Sequence, residues 1–434
     1  MEITLYFYDA KCNVFNVAEK IMKKEIVDVL VIGAGPSGSV SAAYLQKNNI
    51  NVKVVEKCKF PRYQVGESLI PRCMDNFEEA GLLDCLTKQG YQKKYGARFI
   101  KDGAHGTFDF SKKHGEGWDW TWQVPRDHFD KTLTDELTAQ GVPIAFETEV
   151  KDIKFHDEYS VTRVQHTDGT ETEITAKYII DSSGFGRVIA RQLGLEATPK
   201  IAEHGSIFTQ VKDVNRPEGS EGTLITFEII ETEVWFWYIP FSNGNTSIGF
   251  VGPMEWMNKF KGSNSEVLSQ MMETSIYYKE QFKDVPYLFE PYKVANIAKN
   301  VTKLYGKGFV LTGNSAEFLD PVFSSGVSFA TESGLKAAKL VIKELNNEAV
   351  DWEEDFVTYM KKGVDVFSTY VKEWYSGNLQ KIIFHKNSNE VIKEQICAVL
   401  AGYVWDETNP FVKKHSRLIR NVAKLIEMEE KMTD

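Results

Sequence analysis

Cysteine is scarce in this 434-residue chain: Cys12, Cys58, Cys73, Cys85 and Cys397 are odd in number and contain no CxxC spacing. This excludes a disulfide frame and fits reduced thiols in the cytoplasm. The eight histidines include no HExxH or similar ligand-spaced pair, so a zinc enzyme has no support. Positive charge is also short, with 51 Lys and Arg against 61 Asp and Glu and a formal net charge of -10. Such a balance does not supply the basic surface that neutralises phosphates, which argues against a nucleic-acid partner. No apolar run approaches the roughly 20 residues of a membrane-spanning helix. The N-terminus lacks the basic start and sustained apolar stretch of a signal peptide. Internal repeats and low-complexity linkers are missing as well.

The remaining composition is that of a folded globular protein, 42% hydrophobic and 26% charged. Its length exceeds what one compact core accommodates, so two or three packed lobes with room for a large cofactor are expected. Met22 stands just before "KKEIVDVLVIGAGPSG" and is a candidate natural start, which makes residues 1–24 an N-terminal extension.

The strongest local signal lies between Val27 and Lys57. "VDVLVIG" is a short, β-branched, apolar run of the kind buried on both faces of a parallel sheet. "GAGPSG" then supplies GxGxxG through Gly33, Gly35 and Gly38, "SVSAAYLQKN" continues as a helix, and "NVKVVEK" is a second strand ending at Glu56. Gly33 permits the tight turn, Gly35 lets the backbone approach a pyrophosphate, and Gly38 allows close contact between helix and strand. The helix N-terminus favours phosphate charge, and Glu56 suits a ribose diol. Strand, helix, strand and acidic terminus together specify a dinucleotide site without choosing between FAD and NAD.

Further segments bear on that choice. "KFPRYQVGESLIP", residues 59 to 71, resembles the "FPRxxxGES" run of flavin-dependent halogenases and the related geranylgeranyl-reductase-like flavoproteins, a run that passes beside the flavin and here contains Arg62 and Ser68. "WQVPRDHFDKTL" resembles the segment whose arginine, Arg126 here, reaches FAD. "AKYIIDSSGFGR" resembles the strand and turn carrying Asp181, and "GFVLTGNSAEFLDPVFSSGVSFATESG" resembles the last FAD motif. The family has Gly-Asp where this chain has Gly313 and Asn314, and asparagine supplies an acceptor and a donor without charge.

The resemblance implies FAD as cofactor and a doubly wound, Rossmann-like FAD-binding domain interleaved with an antiparallel β-rich substrate domain, plus a helical C-terminal region. The FAD-binding parts are placed at 25–100, 126–199 and 301–345. A substrate-lobe insertion at 101–125, a β-rich substrate domain at 200–300 and helices over 346–434 complete the division.

"WFWYIP", residues 235 to 240, matches the W-x-W-x-I-P motif of flavin-dependent halogenases. The resemblance assigns Trp235 and Trp237 to a barrier between flavin and organic substrate, whereas alternating aromatics on a strand also simply pack a core. "GYQKKYGARF" resembles the segment carrying the catalytic lysine, and its spacing to Gly96 selects Lys94 over Lys93. An ammonium desolvated in an apolar pocket can hydrogen-bond hypohalous acid, while the plain reading of paired lysines is a solvated turn. Ser325 and Gly326, with the Val327 amide beside them, match the step where backbone N–H groups hold halide, although such a nest serves a flavin carbonyl equally well.

By the same resemblance, a separate reductase supplies reduced FAD, and oxygen and halide then halogenate an electron-rich ring. Phe323 stands where tryptophan halogenases carry glutamate, so a phenol or pyrrole, free or tethered to a carrier protein, is the expected substrate. A hydroxylase, an olefin reductase related to geranylgeranyl reductase, and a non-catalytic flavin redox sensor remain open. In the last segment, Pro410 precedes an amphipathic run with Phe411, Val412, Leu418, Ile419, Val422 and Leu425 on one face. Docking onto the protein's own core is favoured over a membrane, because the acidic tail "EMEEKM" opposes an anionic surface.

Overall fold

A computed structural model describes residues 5–8, 14–17, 22–199, 204–295, 297–387 and 389–433, without the side chains of 5–8, 14–17 and 433. Most of the N-terminal extension, 1–24, lies outside the described residues. The hydrophobic run Lys23–Ile32 forms the centre of the first sheet. It pairs in parallel with Val52–Val55 on one side and with Glu171–Asp181 on the other. Phe309–Leu311 adds to Glu171–Asp181, again in parallel. An antiparallel meander through Thr148–Phe155 and Ser160–His166 extends the sheet on that side. Ile32 lies opposite both Val55 and Asp181, and Asp181 lies opposite Leu311. Four parallel strands therefore end at one level, where an open α/β sheet presents its ligand crevice.

The helix Pro36–Lys47 starts directly after the glycine turn, with proline in its first turn and serines and alanines on its buried side. These small residues let the long helix Gly326–Leu345 approach closely: Ser41 Oγ donates to the Gly334 carbonyl at 3.0 Å. A Cβ at Gly334 would press on the Ser37 carbonyl.

The second sheet runs Tyr292–Val294, His204–Lys212, Asn245–Pro253, Val234–Pro240, Ile225–Glu231, Gly96–Lys101 and Ala104–Asp109. All its pairings are antiparallel except that of Ile225–Glu231 with Gly96–Lys101. The sheet draws on residues 96–109 as well as on 204–294, so the boundary expected near 100 falls inside a strand. Period-two alternation divides "WFWYIP" between two environments. Trp235, Trp237 and Ile239 face the main core, together with Phe227 and Ile225. Val234, Phe236 and Tyr238 face a second core, closed by the helices Met254–Met257 and Asn264–Met272.

The C-terminal helices cover the main-core face of this sheet. Tyr359–Tyr375 brings Trp374 onto Phe99, with ring centroids 5.3 Å apart. In His415–Thr433, Ile419, Ala423 and Ile426 form the buried stripe, flanked by Leu418 and Val422. Phe411 and Val412 are buried just before it. Leu425 departs from the expected face and is 64% exposed. The i, i+4, i+7 stripe passes through its neighbour Ile426, about 100° around the helix. Among the described residues, no helix is long and apolar enough to cross a membrane.

Candidate active site

A cavity of about 1060 Å³ opens at the carboxyl ends of the parallel strands and continues to the tryptophan face of the second sheet. Gly33, Gly35, Glu56, Arg62, Ser68, Arg126, Asn314, Gly326 and Val327, all expected in the site, line it with Trp235 and Trp237. At the dinucleotide end the backbone governs. Gly33 adopts φ +97°, and a Cβ there would collide with the Ser182 carbonyl. A Cβ at Gly38 would overlap the Gly33 carbonyl. Gly35 faces open space, with Arg62 Nη2 3.7 Å from where its Cβ would lie, which leaves the approach a pyrophosphate needs. Glu56 Oε2 accepts from the Ala34 amide and Oε1 from the Cys58 amide, both at 2.9 Å, so the carboxylate is aimed at the turn before any ribose arrives.

Arg126 is anchored within the protein. Its Nε and Nη2 donate to the two oxygens of Asp130 at 2.8 and 3.0 Å, and Nη1 reaches the carbonyls of Val65 and Gly66. Arg62 Nη1 lies 3.3 Å from the same Asp130 carboxylate. Asp130, hidden in the "FD" of "VPRDHFD", thus holds both arginines and was not singled out from sequence. Asp181 does not line the cavity. It is fully buried, and its two oxygens accept from the amides of Ser183 and Ile189. Ser182, Ser183 and Gly184, held by that carboxylate, form the wall instead.

The sheet end is built from side chains. Trp235 Nε1 donates to Tyr375 Oη at 3.1 Å, and Tyr375 in turn donates to Asp320 at 3.0 and 3.1 Å. Trp237 Nε1 donates to Ser247 Oγ at 3.1 Å. Both indoles are thereby fixed in orientation as parts of the cavity wall. Asp320 also accepts from the Val322 amide, which shapes the turn leading to Ser325. Ser325 borders a small apolar cavity behind Gly326, while Gly326 and Val327, the first residues of the helix Gly326–Leu345, face the main cavity. A 20-residue helix starting there places the positive end of its dipole at the wall.

Lys94 is buried at 2% exposure, in contrast to the exposed Lys93 beside it. Its Nζ donates to Ser68 Oγ at 2.9 Å and to the Leu69 carbonyl at 2.8 Å, with the Phe110 ring 5.6 Å away. Burial pushes its pKa down to about 7, and the nearby Cys73 thiol opposes that shift. Lys94 does not itself line the cavity; Ser68, its hydrogen-bond partner, does. Phe323 packs edge-on against Trp374 at 5.6 Å, so an apolar contact occupies the position of the tryptophan-halogenase glutamate. Tyr375 escaped the sequence reading because no local pattern marks a side chain that acts on a residue 140 positions away; Asp130, one helical turn after Arg126, and Ser247, on the strand beside Trp237, were closer at hand and not singled out.

The FAD-binding domain family model matches residues 26–372. The chain belongs to this family. It is 28% identical over 372 residues to a 1H-pyrrole-2-carbonyl carrier-protein chlorinase of Pseudomonas fluorescens, spanning 80% of this chain and 82% of that protein. A brominase with the same carrier-bound pyrrole in its name, from Pseudoalteromonas luteoviolacea, is 26% identical over 388 residues, 87% of this chain and 92% of the other. Among solved structures, a flavoprotein/dehydrogenase from Cytophaga hutchinsonii is 49% identical with a TM-score of 0.92, over 94% of this chain and all of that one. The myxobacterial chondrochloren halogenase CndH is 25% identical with a TM-score of 0.75, over 93% and 97%. The protein is an FAD-dependent oxidoreductase of the halogenase and monooxygenase type, and the open approach at Gly35, with Glu56 and Arg62 beside it, fits a dinucleotide cofactor.

Proposed function

We propose that the protein halogenates an electron-rich aromatic, a phenol or pyrrole, presented free or on a carrier protein. The observation that carries this reading is the pairing of two orientation-locked tryptophans on the cavity wall with a buried lysine one hydroxyl behind it. FAD held by the glycine cradle and reduced by a separate reductase would give dioxygen two electrons, the halide giving the other two as it is oxidised to hypohalous acid. The chain's residues provide placement and exclusion. The amides of Gly326 and Val327, at the positive end of their helix, face the cavity where halide would sit, with Ser325 just behind. Trp235 and Trp237 keep the ring of the substrate from the cofactor. Lys94 engages hypohalous acid through its Nζ, which at a pKa of about 7 exchanges its proton readily. The carrier-bound pyrrole named for two relatives favours a tethered substrate. Cys58, Cys73, Cys85 and Cys397 are unpaired, in keeping with work in the cytoplasm.

The test is mass spectrometry of a reaction with FAD, a flavin reductase, NADH, oxygen, bromide and a panel of free and carrier-tethered phenols and pyrroles. A bromine isotope pair on a ring, lost in Lys94→Ala while flavin oxidation continues, is the expected result. A gain of one oxygen instead would identify a hydroxylase.

A further inference from the structure

The halide chemistry proposed above consumes a proton. Dioxygen takes two electrons from the reduced flavin and two from the halide, and fully reduced flavin, dioxygen, halide and one proton balance as oxidised flavin, hypohalous acid and water. The proton must reach the cavity, and Lys94, the one proton-exchanging group assigned so far, lies behind Ser68 and does not line it.

Glu67 stands at that wall. It is 2% exposed and lines the cavity between Gly66 and Ser68. Its Oε1 accepts from Gln210 Nε2 at 2.7 Å and from Tyr63 Oη at 3.3 Å. Its Oε2 is buried with no hydrogen bond closed on it. The hydroxyl of Ser247, already accepting the Trp237 indole N–H, lies against the same carboxyl. The cation that acts on it, Arg126, is committed to Asp130. Lys94 is separated from Glu67 by the hydroxyl of Ser68. A buried carboxyl on the cavity wall, held only by neutral donors and with no cation bonded to it, calls for an explanation beyond structure.

We propose that Glu67 is the acid that delivers the proton consumed in halide oxidation. This rests on the halogenase reading and adds to it a residue of the same cavity wall, joined to Trp237 through Ser247. The carboxyl gives its proton when hypohalous acid forms and regains one from solvent between turnovers. Burial raises its pKa to about 7, against the lowering pull of Ser247, Gln210, Tyr63 and Arg126. It therefore carries its proton below that pH and loses it above.

The experiment uses the full chain loaded with reduced FAD, with oxygen, bromide and a 1,3-diketone that traps hypobromous acid, between pH 5.5 and 9. Wild-type bromination should fall about tenfold per pH unit above 7. Glu67→Gln should lose about 100-fold of it, releasing hydrogen peroxide instead, with unchanged FAD affinity and a melting temperature that does not fall and, relative to wild type, rises toward alkaline pH, where the wild type buries a charge. Gln210→Leu removes the donor on Oε1 and should move the pH midpoint upward. Infrared spectra of the cofactor-free protein should show a carboxylic C=O band titrating near 7 that Glu67→Gln lacks. Wild-type rates and profile in Glu67→Gln, an unmoved midpoint in Gln210→Leu, or no such infrared band would overturn the proposal. A wild type that brominates nothing at any pH, while the infrared band titrates as expected, would instead bring down the halogenase reading beneath it.

Discussion

The two ends of the cavity are made in different ways. Its dinucleotide end is backbone: glycines without Cβ atoms, strand termini in register, and carboxylates turned onto backbone amides. At its sheet end, side chains also converge from segments more than a hundred residues apart, with Trp235 tied to Tyr375 across 140 positions and Glu67 to Gln210 across 143. The first arrangement fails when an atom is added. The second fails when a donor or acceptor is taken away. The difference predicts which substitutions remove the cofactor and which leave it bound but spoil the chemistry.

The largest effect belongs to the backbone end. Gly38→Val places a branched side chain where even a Cβ would overlap the Gly33 carbonyl. It should destabilise the protein by more than about 4 kcal/mol and abolish FAD retention. The flavin-to-protein absorbance ratio and the melting temperature check this together, and a flavin-loaded variant would break the contrast between the two ends.

At the sheet end, Lys94 offers an effect of opposite sign. Its fall from 10.5 to about 7 means that the folded state binds this proton less tightly than the unfolded chain. Stability should therefore rise with pH between about 7 and 10.5, and below 7 the buried charge weighs against folding by an amount on the order of 5 kcal/mol at most. Lys94→Met should raise the melting temperature at pH 6, with the gain shrinking toward pH 10, while halogenation disappears. Thermal unfolding across that range is the measurement. A residue whose removal stabilises the fold and ends the reaction is held for chemistry.

Tyr375→Phe is expected to do less. It removes the bridge between Trp235 and Asp320 and leaves an indole N–H and a buried carboxylate short of a partner, a loss of about 1–3 kcal/mol. FAD should remain bound, with more hydrogen peroxide released per halogenated product as Trp235 loosens. Peroxide and product assayed in one reaction give that ratio.

How much of this could be read from the chain follows the same division. Gly33, Gly35, Gly38 and Glu56 were legible because turn, helix and strand lie within 30 residues and each glycine meets a local steric demand. The alternation in "WFWYIP" announced a strand, but which face met the cofactor depended on a partner sheet that periodicity does not describe. Lys94 was distinguished from Lys93 by its spacing to Gly96, and its burial then follows from the strand, which turns adjacent side chains to opposite sides. Asp181 was placed beside the cofactor, yet its carboxylate shapes the turn rather than the wall. Tyr375 had no signal at all, since a hydrogen bond between segments 140 residues apart leaves no mark in either one, whereas Asp130 and Ser247 lie only four and ten residues from Arg126 and Trp237 and were within reach of a local reading. Glu67 was in plain view within "GES", and only its depth and its lack of a bonded cation mark it out.

Asn314 gives the smallest effect and the finest test of the contrast. It lines the backbone end but contributes a side chain, and it stands where the resembling family has aspartate. If that end depends on backbone fit, restoring the charge in Asn314→Asp should alter FAD affinity by no more than about tenfold, or about 1.4 kcal/mol. The direction should be tighter, because a carboxylate accepts a hydroxyl proton more strongly than a neutral amide. Fluorescence titration of the cofactor-free protein measures this directly. A gain of hundreds-fold would mean that one side chain governs retention at the end assigned to the backbone, and the two ends would then differ in reach along the chain rather than in kind.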